Sequence, residues 1–273
     1  MNLQGKTVLI TGSTDGLGRL VARRLADRGA NVLLHGRDKE RGEKLAKELS
    51  AAKKGKAAFY RADLSSLAEV RKLAQAVLKD NGAIHVLVNN AGIGSGPDFK
   101  TRAASADGHE LRFAVNYLAG FLLTRLLLPA IVKSAPARIV NVSSLGQQPL
   151  DFDDVMLERT YDGGRAYRQS KLAQIMFTID LAQELAGKNV TVNCLHPATF
   201  MDTTMVRQSG TKPISTVDQG ADAVMKLVVS DEVAGESGLF FNGLDEARAN
   251  EQAYESSARK KLRELSLRLT GLS

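Results

Sequence analysis

Along the whole chain, short β-branched or apolar runs alternate with stretches patterned as helices, and this alternation constrains the fold more than any other feature. It is the pattern of a parallel sheet with both faces covered by helices. The runs fall at 7–11, 31–35, 57–61, 84–88, 138–143, 190–195 and 238–241. Between them, Leu17, Val21 and Leu25 mark one apolar helical stripe. Leu67, Val70, Leu73 and Val77 mark another, behind a Ser66–Glu69 capping box. The expected fold is α/β, a doubly wound parallel sheet of seven strands with helices on both faces. With 273 residues and 44% hydrophobic content, one core in one domain spanning 1–273 is sufficient.

A net charge of +7 and a pI near 9.5 would suit an acidic partner. Basic residues are interspersed with acids, tryptophan is absent and aromatics make up only 5%. No basic face with stacking residues for nucleic acid is therefore visible, and a phosphorylated cofactor is the simpler acidic partner. The single cysteine, Cys194, lies in an apolar run; it excludes an internal disulfide and fits a reduced, cytoplasmic setting. The opening M-N-L-Q-G-K runs straight into a strand, so no secretory signal is expected. The longest apolar stretch, 113–132, carries Asn116, Thr124, Arg125 and Pro129, which a lipid-exposed span would hold only at high cost. It reads as a buried helix, and no membrane span is expected.

The first strand leads directly into Gly12, Gly16 and Gly18 and then into a helix. Small residues at such a turn let backbone N–H groups approach a pyrophosphate at the positive helix end. At the end of the second strand a carboxylate would hydrogen-bond the adenosine ribose and repel an added phosphate. This sequence has His35, Gly36, Arg37 and Asp38 there, with no acid at the strand end itself. The Arg37 guanidinium can chelate a 2′-phosphate, and Arg19, one residue past the last glycine, is placed to assist. Asp38 is better placed as the N-cap of the helix through Leu45 and Leu49. NADP(H) is therefore expected to be preferred over NAD(H).

Tyr167 and Lys171 are four residues apart in a helical pattern, which brings a phenol and an ammonium onto one face. A nearby lysine favours the phenolate; lowering its pKa by ~3 units takes ~4 kcal/mol and a partly dry site. Such a pair is common by chance, but it accompanies T-G-S-T-D-G-L-G at 11–18, N-N-A-G at 89–92, Asn116, and V-S-S at 142–144. In this order and at these intervals, the motifs resemble the short-chain dehydrogenase/reductase family over about residues 5 to 245. F-A-V-N-Y-L-A-G-F-L-L-T and A-Y-R-Q-S-K-L-A are similar to its branch of retinol dehydrogenases and related carbonyl reductases.

The resemblance implies a Rossmann fold and hydride transfer between a nicotinamide cofactor and an alcohol or carbonyl. It assigns Tyr167 as the proton donor or acceptor and Lys171 as the group that lowers its pKa and binds the nicotinamide ribose. Ser144 would steady the carbonyl oxygen. Asn116 would hold a water linking the lysine to solvent, the alternative being a satisfied core amide. Cofactor contacts are expected from Gly12, Ser13, Asp15, Gly16, Leu17, Gly18 and Arg37. Asn89 to Gly92 would stabilise the central sheet beside the cofactor, with Asn90, Ala91 and Gly92 among the cofactor contacts. Asp63 and Leu64 would border the adenine, with an acidic N-cap neighbour as the alternative for Asp63. After the sixth strand, Pro197, Thr199 and Thr203 would meet the carboxamide end, while His196 reads as a packed strand-end residue.

Three segments are left for the substrate and for packing. Residues 145–163, with Phe152, Met156 and Tyr161, are expected to form a pocket wall. Residues 200–215, with Phe200, Met201, Met205 and Val206, are expected to form a lid over a mostly apolar ketone, aldehyde or alcohol. Residues 246–273 would form a helical extension with Ala258, Leu262, Leu265 and Leu269 as its stripe. The apolar coverage of 113–128 and 172–185 suggests a homo-oligomer, dimer or tetramer, joined through these helices. From other classes, a nucleotide-binding regulator or scaffold without turnover is the main alternative, and charge-driven nucleic-acid binding a weaker one.

Overall fold

The computed structural model describes residues 1–52, 54–96 and 98–272. Among these, eight strands form one sheet in the order β3-β2-β1-β4-β5-β6-β7-β8. The strands are β1 (Thr7–Ile10), β2 (Asn31–Gly36), β3 (Ala57–Arg61), β4 (Val86–Asn89), β5 (Ala137–Val142), β6 (Val190–His196), β7 (Phe240–Asn242) and β8 (Asp245–Ala247). The first seven run parallel, and β8 pairs antiparallel with β7. Seven strands were expected; β8 is the addition. Its sequence, Asp-Glu-Ala, carries no apolar run because it lies at the exposed edge, where charge discourages further pairing.

The helices are α1 (Gly16–Asp27), α2 (Lys39–Ala51), α3 (Leu67–Asp80), α4 (Ala119–Lys133), α5 (Gly163–Glu184), α6 (Thr204–Gln208), α7 (Val217–Val229) and α8 (Ser256–Thr270). Two apolar layers flank the sheet. One joins α3, α4, α5 and α8, the other α1, α2 and α7. Asp38 caps α2, its carboxylate accepting the Arg41 N–H at 3.0 Å. At α3 the capping box is half formed: Ser66 Oγ accepts the Glu69 N–H, but Glu69 Oε2 accepts the Asp63 N–H instead of the Ser66 N–H. The order of strands reverses between β1 and β4, so the turns at their carboxyl ends face each other across a crevice.

Residues 113–133 form one apolar helical rod of mean hydropathy 1.7, long enough to cross a membrane, here packed against α3 and α5. Its first part, Phe113–Leu118, is a π-helical turn, with the Ala119 N–H donating to Ala114 O five residues back. Phe113, Tyr117, Phe121 and Phe177 stack in a tilted series with centroids 5.1 to 6.4 Å apart. The Tyr117 hydroxyl meets Ser266 Oγ of α8 at 2.7 Å, and Arg71 of α3 donates to Thr270 O at the end of α8.

That cover narrows the expected interface. Every residue from 172 to 179 is buried within the chain, so this part of α5 has no surface left for a second copy. On α4, Leu122, Leu123 and Leu127 are also buried, leaving Leu126 and Leu128 half-buried. The stripe of α8 is the reason: Ala258 and Leu262 enter the same core as α4 and α5. Ser273, the last residue of the expected extension, lies outside the described residues.

Candidate active site

The glycine turn closes on the turn after β4. Gly12 and Gly16 have φ of +64° and +49°, where only glycine is relaxed. A Cβ on Gly12 would come 2.8 Å from Ala91 Cα, and one on Gly18 would collide with the Gly12 carbonyl oxygen. Asn90 Nδ2 donates to Thr11 O and Gly12 O, and the N–H groups of Asn90 and Ala91 both donate to Thr11 Oγ1. The Asn90 amide is thus committed to the backbone of the turn. Asp15 caps α1, accepting the Gly16 N–H at 2.8 Å, and accepts the Thr204 hydroxyl at 2.7 Å. Leu17 is buried in the core.

The wall beside the glycine turn is built from β2 and β3. Ser13 is fully buried and exchanges hydrogen bonds with the backbone of His35, so its hydroxyl faces the sheet. A Cβ on Gly36 would come 2.7 Å from both Cγ2 and Oγ1 of Thr14, so Thr14 fills the space an acidic side chain would need. Arg37 and Arg19 are exposed. Burial raises the Asp63 carboxyl, but hydrogen bonds from Ser65 and the charges of Arg37 and Arg61 hold it below the usual range. Leu64 beside it is buried.

Across the crevice, Asp162 caps α5 and sets Tyr167 in its second turn. Ser144 follows β5, its Oγ accepting the Gly146 N–H at 3.0 Å. A Cβ on Gly146 would come 3.4 Å from Ser144 Oγ and 3.6 Å from Tyr167 Cε1, so the hydroxyl and the phenol ring share one pocket edge. Lys171 Nζ lies 5.8 Å from the centroid of the Tyr167 ring and donates to Val142 O and Gln174 Oε1, each at 3.0 Å. A Cβ on Gly92 would come 3.3 Å from Asn116 Oδ1 and 3.5 Å from Lys171 Nζ, so its absence leaves these two groups one small common space.

Asn116 sits in the π-helical turn and is fully bonded. Its Oδ1 accepts the Ile93 N–H at 2.8 Å, and its Nδ2 donates to Ile93 O and Ser170 Oγ. That geometry meets the satisfied-amide reading and also places the oxygen beside the lysine. Burial pushes the Lys171 ammonium down to about 7. Burial also raises the Tyr167 phenol above its ordinary value, partly offset by its hydrogen bond with Ser144. In the protein alone this is opposite to the expected lowering, because a dry site penalises phenolate and ammonium alike.

After β6, His196 is pushed to about 4 by burial and by the Lys171 charge, and its Nε2 meets Thr199 Oγ1 at 3.0 Å. The Thr199 hydroxyl therefore already has a partner. Pro197 precedes it and faces Gly220 of α7. Thr203 caps α6 through the Val206 N–H, and its methyl lies 3.4 Å from where a Gly16 Cβ would be. Segment 200–215 is pinned at its base, where the Ile214 N–H donates to Phe200 O and the Asp202 N–H to Ser215 O. Phe200, Met205 and Ile214 on it are exposed, and Met205 Cγ approaches Gly94.

In the 145–163 segment three side chains find partners within the chain. Phe152 lies under Lys261 of α8, and Met156 Sδ accepts the Glu110 N–H, so these two contact the extension and the approach to the π-helical turn. Tyr161 accepts from the buried Arg112 at 2.7 Å. Gln174 beside Lys171, the two ring contacts of His35 and the packing of Thr14 on Gly36 go beyond the motifs. Gln174 was reachable, since it follows Lys171 by three residues on one helix face.

Comparison with known proteins bears on this geometry. The family model described as short chain dehydrogenase matches residues 6–213. Retinol dehydrogenase 13 of Mus musculus is 37% identical over 290 aligned residues, covering 99% of this chain and 85% of the relative. Among solved structures, an uncharacterised protein of Mycobacterium paratuberculosis superposes with a TM-score of 0.81 at 29% identity, covering 99% of this chain and 95% of the other. A short chain dehydrogenase of Shigella flexneri, solved in complex with NADP, gives 0.73 at 25% identity, covering 89% and 99%.

Proposed function

The chain belongs to the short-chain dehydrogenase/reductase family and is an NAD(P)-dependent oxidoreductase, and on that premise we propose that it moves a hydride between NADP(H) and a mostly apolar ketone or aldehyde and its alcohol. One observation carries the reading: Ser144 lies beside Tyr167, Lys171 Nζ is 5.8 Å from the Tyr167 ring, and Asn116 and Lys171 both flank Gly92, next to the Ala91 that packs on the glycine turn. The turn fits a dinucleotide, since Gly12 and Gly18 let it close tightly against Ala91 and itself at the N-terminus of α1, where backbone N–H groups favour a pyrophosphate. Residues 12–18, Arg37, Asp63, Leu64, Gly92 and the loop from Pro197 to Thr203 would hold it. Bound there, the cofactor supplies the hydride.

The chain's own residues handle the oxygen and its proton. Tyr167 gives or takes the proton, and Ser144 Oγ, beside the phenol, donates to the substrate oxygen as negative charge develops. Lys171, fixed by Val142 O and Gln174 Oε1, favours the phenolate when charged. Asn116 is held by Ile93 and Ser170 and would pass protons from the lysine toward solvent through a water. Segment 200–215 acts as a lid, with Phe200 and Met205 offering apolar walls. Any homo-oligomer would have to use a surface other than 172–179, and the reduced state of Cys194 suits the cytoplasm.

The preference for the phosphorylated cofactor rests on Arg37 and on Thr14 filling the space beside Gly36. One arginine contact to phosphate supplies roughly 1.5 to 3 kcal/mol, about ten- to a hundredfold in affinity. The test is a panel of carbonyls and alcohols of graded tail length, assayed with each cofactor. The reading expects NADP(H) to bind at least tenfold more tightly than NAD(H), Arg37→Ala to remove most of that margin, and efficiency to rise several-fold along the apolar series. Equal affinity for both cofactors would refute the preference, and equal use of short polar carbonyls would refute the apolar pocket.

A further inference from the structure

His35, inside the sheet at the end of β2, touches both walls of the adenosine end. Its Nδ1 lies 3.2 Å from the Gly12 N–H, and its Nε2 lies 3.2 Å from Ala62 O, the residue before Asp63. Its backbone is paired with Ser13 on one side and with β3 on the other. These partners fix the tautomer. A backbone N–H can only donate, so Nδ1 must present its lone pair; a carbonyl can only accept, so Nε2 must carry the hydrogen. Both bonds exist only in the neutral ring, which is 2% exposed.

We infer that His35, in its neutral Nε2–H form, is a positioning residue for cofactor binding: a strut that holds the glycine turn at a set distance from the wall formed by Ala62, Asp63 and Leu64. Resting on the dinucleotide reading above, it gives that site an internal support that touches no ligand. Among the described residues His35 is the acceptor that fixes the Gly12 N–H, while the Gly12 carbonyl is held by Asn90. Burial pushes the imidazole down to about 4, with Asp63 the charged group acting against it.

Two substitutions separate the two ends of the strut. His35→Asn keeps an acceptor where Nδ1 stands and loses the reach to Ala62; His35→Gln keeps a donor near Nε2 and leaves the Gly12 N–H unpaired. A buried unpaired donor weakens a site by roughly five- to a hundredfold. The expected result is a rise of about tenfold in the KM and Kd for NADP(H) in His35→Gln, with kcat at saturating cofactor falling less than threefold, and a change within threefold in His35→Asn. Similar values for both variants, whether near the unsubstituted protein or equally weakened, would overturn the proposal.

Should either variant fold poorly, the unsubstituted protein decides. In its long-range proton–nitrogen spectrum at neutral pH, the imidazole coupled to the Gly12 amide must show a bare Nδ1 and a protonated Nε2. A proton on Nδ1, or a charged ring, would sink the strut. Failure to bind either nicotinamide cofactor would instead count against the functional reading, so the two failures are distinct.

Discussion

Two buried bases stand at opposite ends of the crevice, and burial treats them alike while their partners do not. His35 faces one donor and one acceptor, a set that only a neutral ring can satisfy. Lys171 faces two acceptors, Val142 O and Gln174 Oε1, a set that asks for an ammonium. Both are held below their ordinary values, His35 to about 4 and Lys171 to about 7. The first is locked across physiological pH, and the second is poised within it. Burial lowers both, and their different ordinary values, 6.5 and 10.5, decide where each titrates; the partners decide which form each site can hold.

The largest effect that would sharpen this contrast is on stability. For His35 the folded value lies below the unfolded 6.5, so between pH 6.5 and 4 the unfolded chain binds the extra proton. Stability from this group is present above 6.5 and is lost as pH falls, by roughly 3 kcal/mol over the window. Lys171 is also lowered, so between pH 10.5 and 7 the unfolded chain again holds the extra proton, and stability declines as pH falls. Denaturant titrations without cofactor should show His35→Asn differing from the unsubstituted protein in pH dependence only in the acid window, and Lys171→Met only in the alkaline one. A difference that spans both windows would erase the contrast.

A smaller effect should come from the partner of the lysine. Gln174→Leu removes one of two acceptors, disfavours the ammonium, and should lower the pH at which Lys171 titrates, with about a tenfold loss of kcat near neutrality. Gln174→Glu places a carboxylate beside the nitrogen and should move the same titration upward. Shifts in one direction for both, or none, would break the account of Lys171 as poised by its acceptors.

The two ends also differed in how far they could be read from sequence. The glycine turn and the seven parallel strands announce themselves locally, through small residues between a β-branched run and an amphipathic stripe. Asp38 as a cap was legible for the same reason. The tautomer of His35 was not, because it depends on Gly12 and Ala62, which β1 and β3 bring to it from elsewhere in the chain. The π-helical turn holding Asn116 has no distinct periodicity, and Ser13, expected at the cofactor, turns out to be buttoned to β2. Polar β8 gave no signal. Apolar coverage along α5 looked like a subunit interface because periodicity counts apolar faces without saying what covers them; here it is α8.

The central claim is that Tyr167 handles the proton while the cofactor site stands apart from it. Tyr167→Phe removes one hydroxyl and little binding surface, so NADP(H) affinity measured by calorimetry should stay within about threefold, while turnover of any carbonyl the unsubstituted protein reduces should fall at least a hundredfold, about 2.7 kcal/mol or more. Retention of a tenth or more of the turnover would contradict the assignment of Tyr167 as the acid.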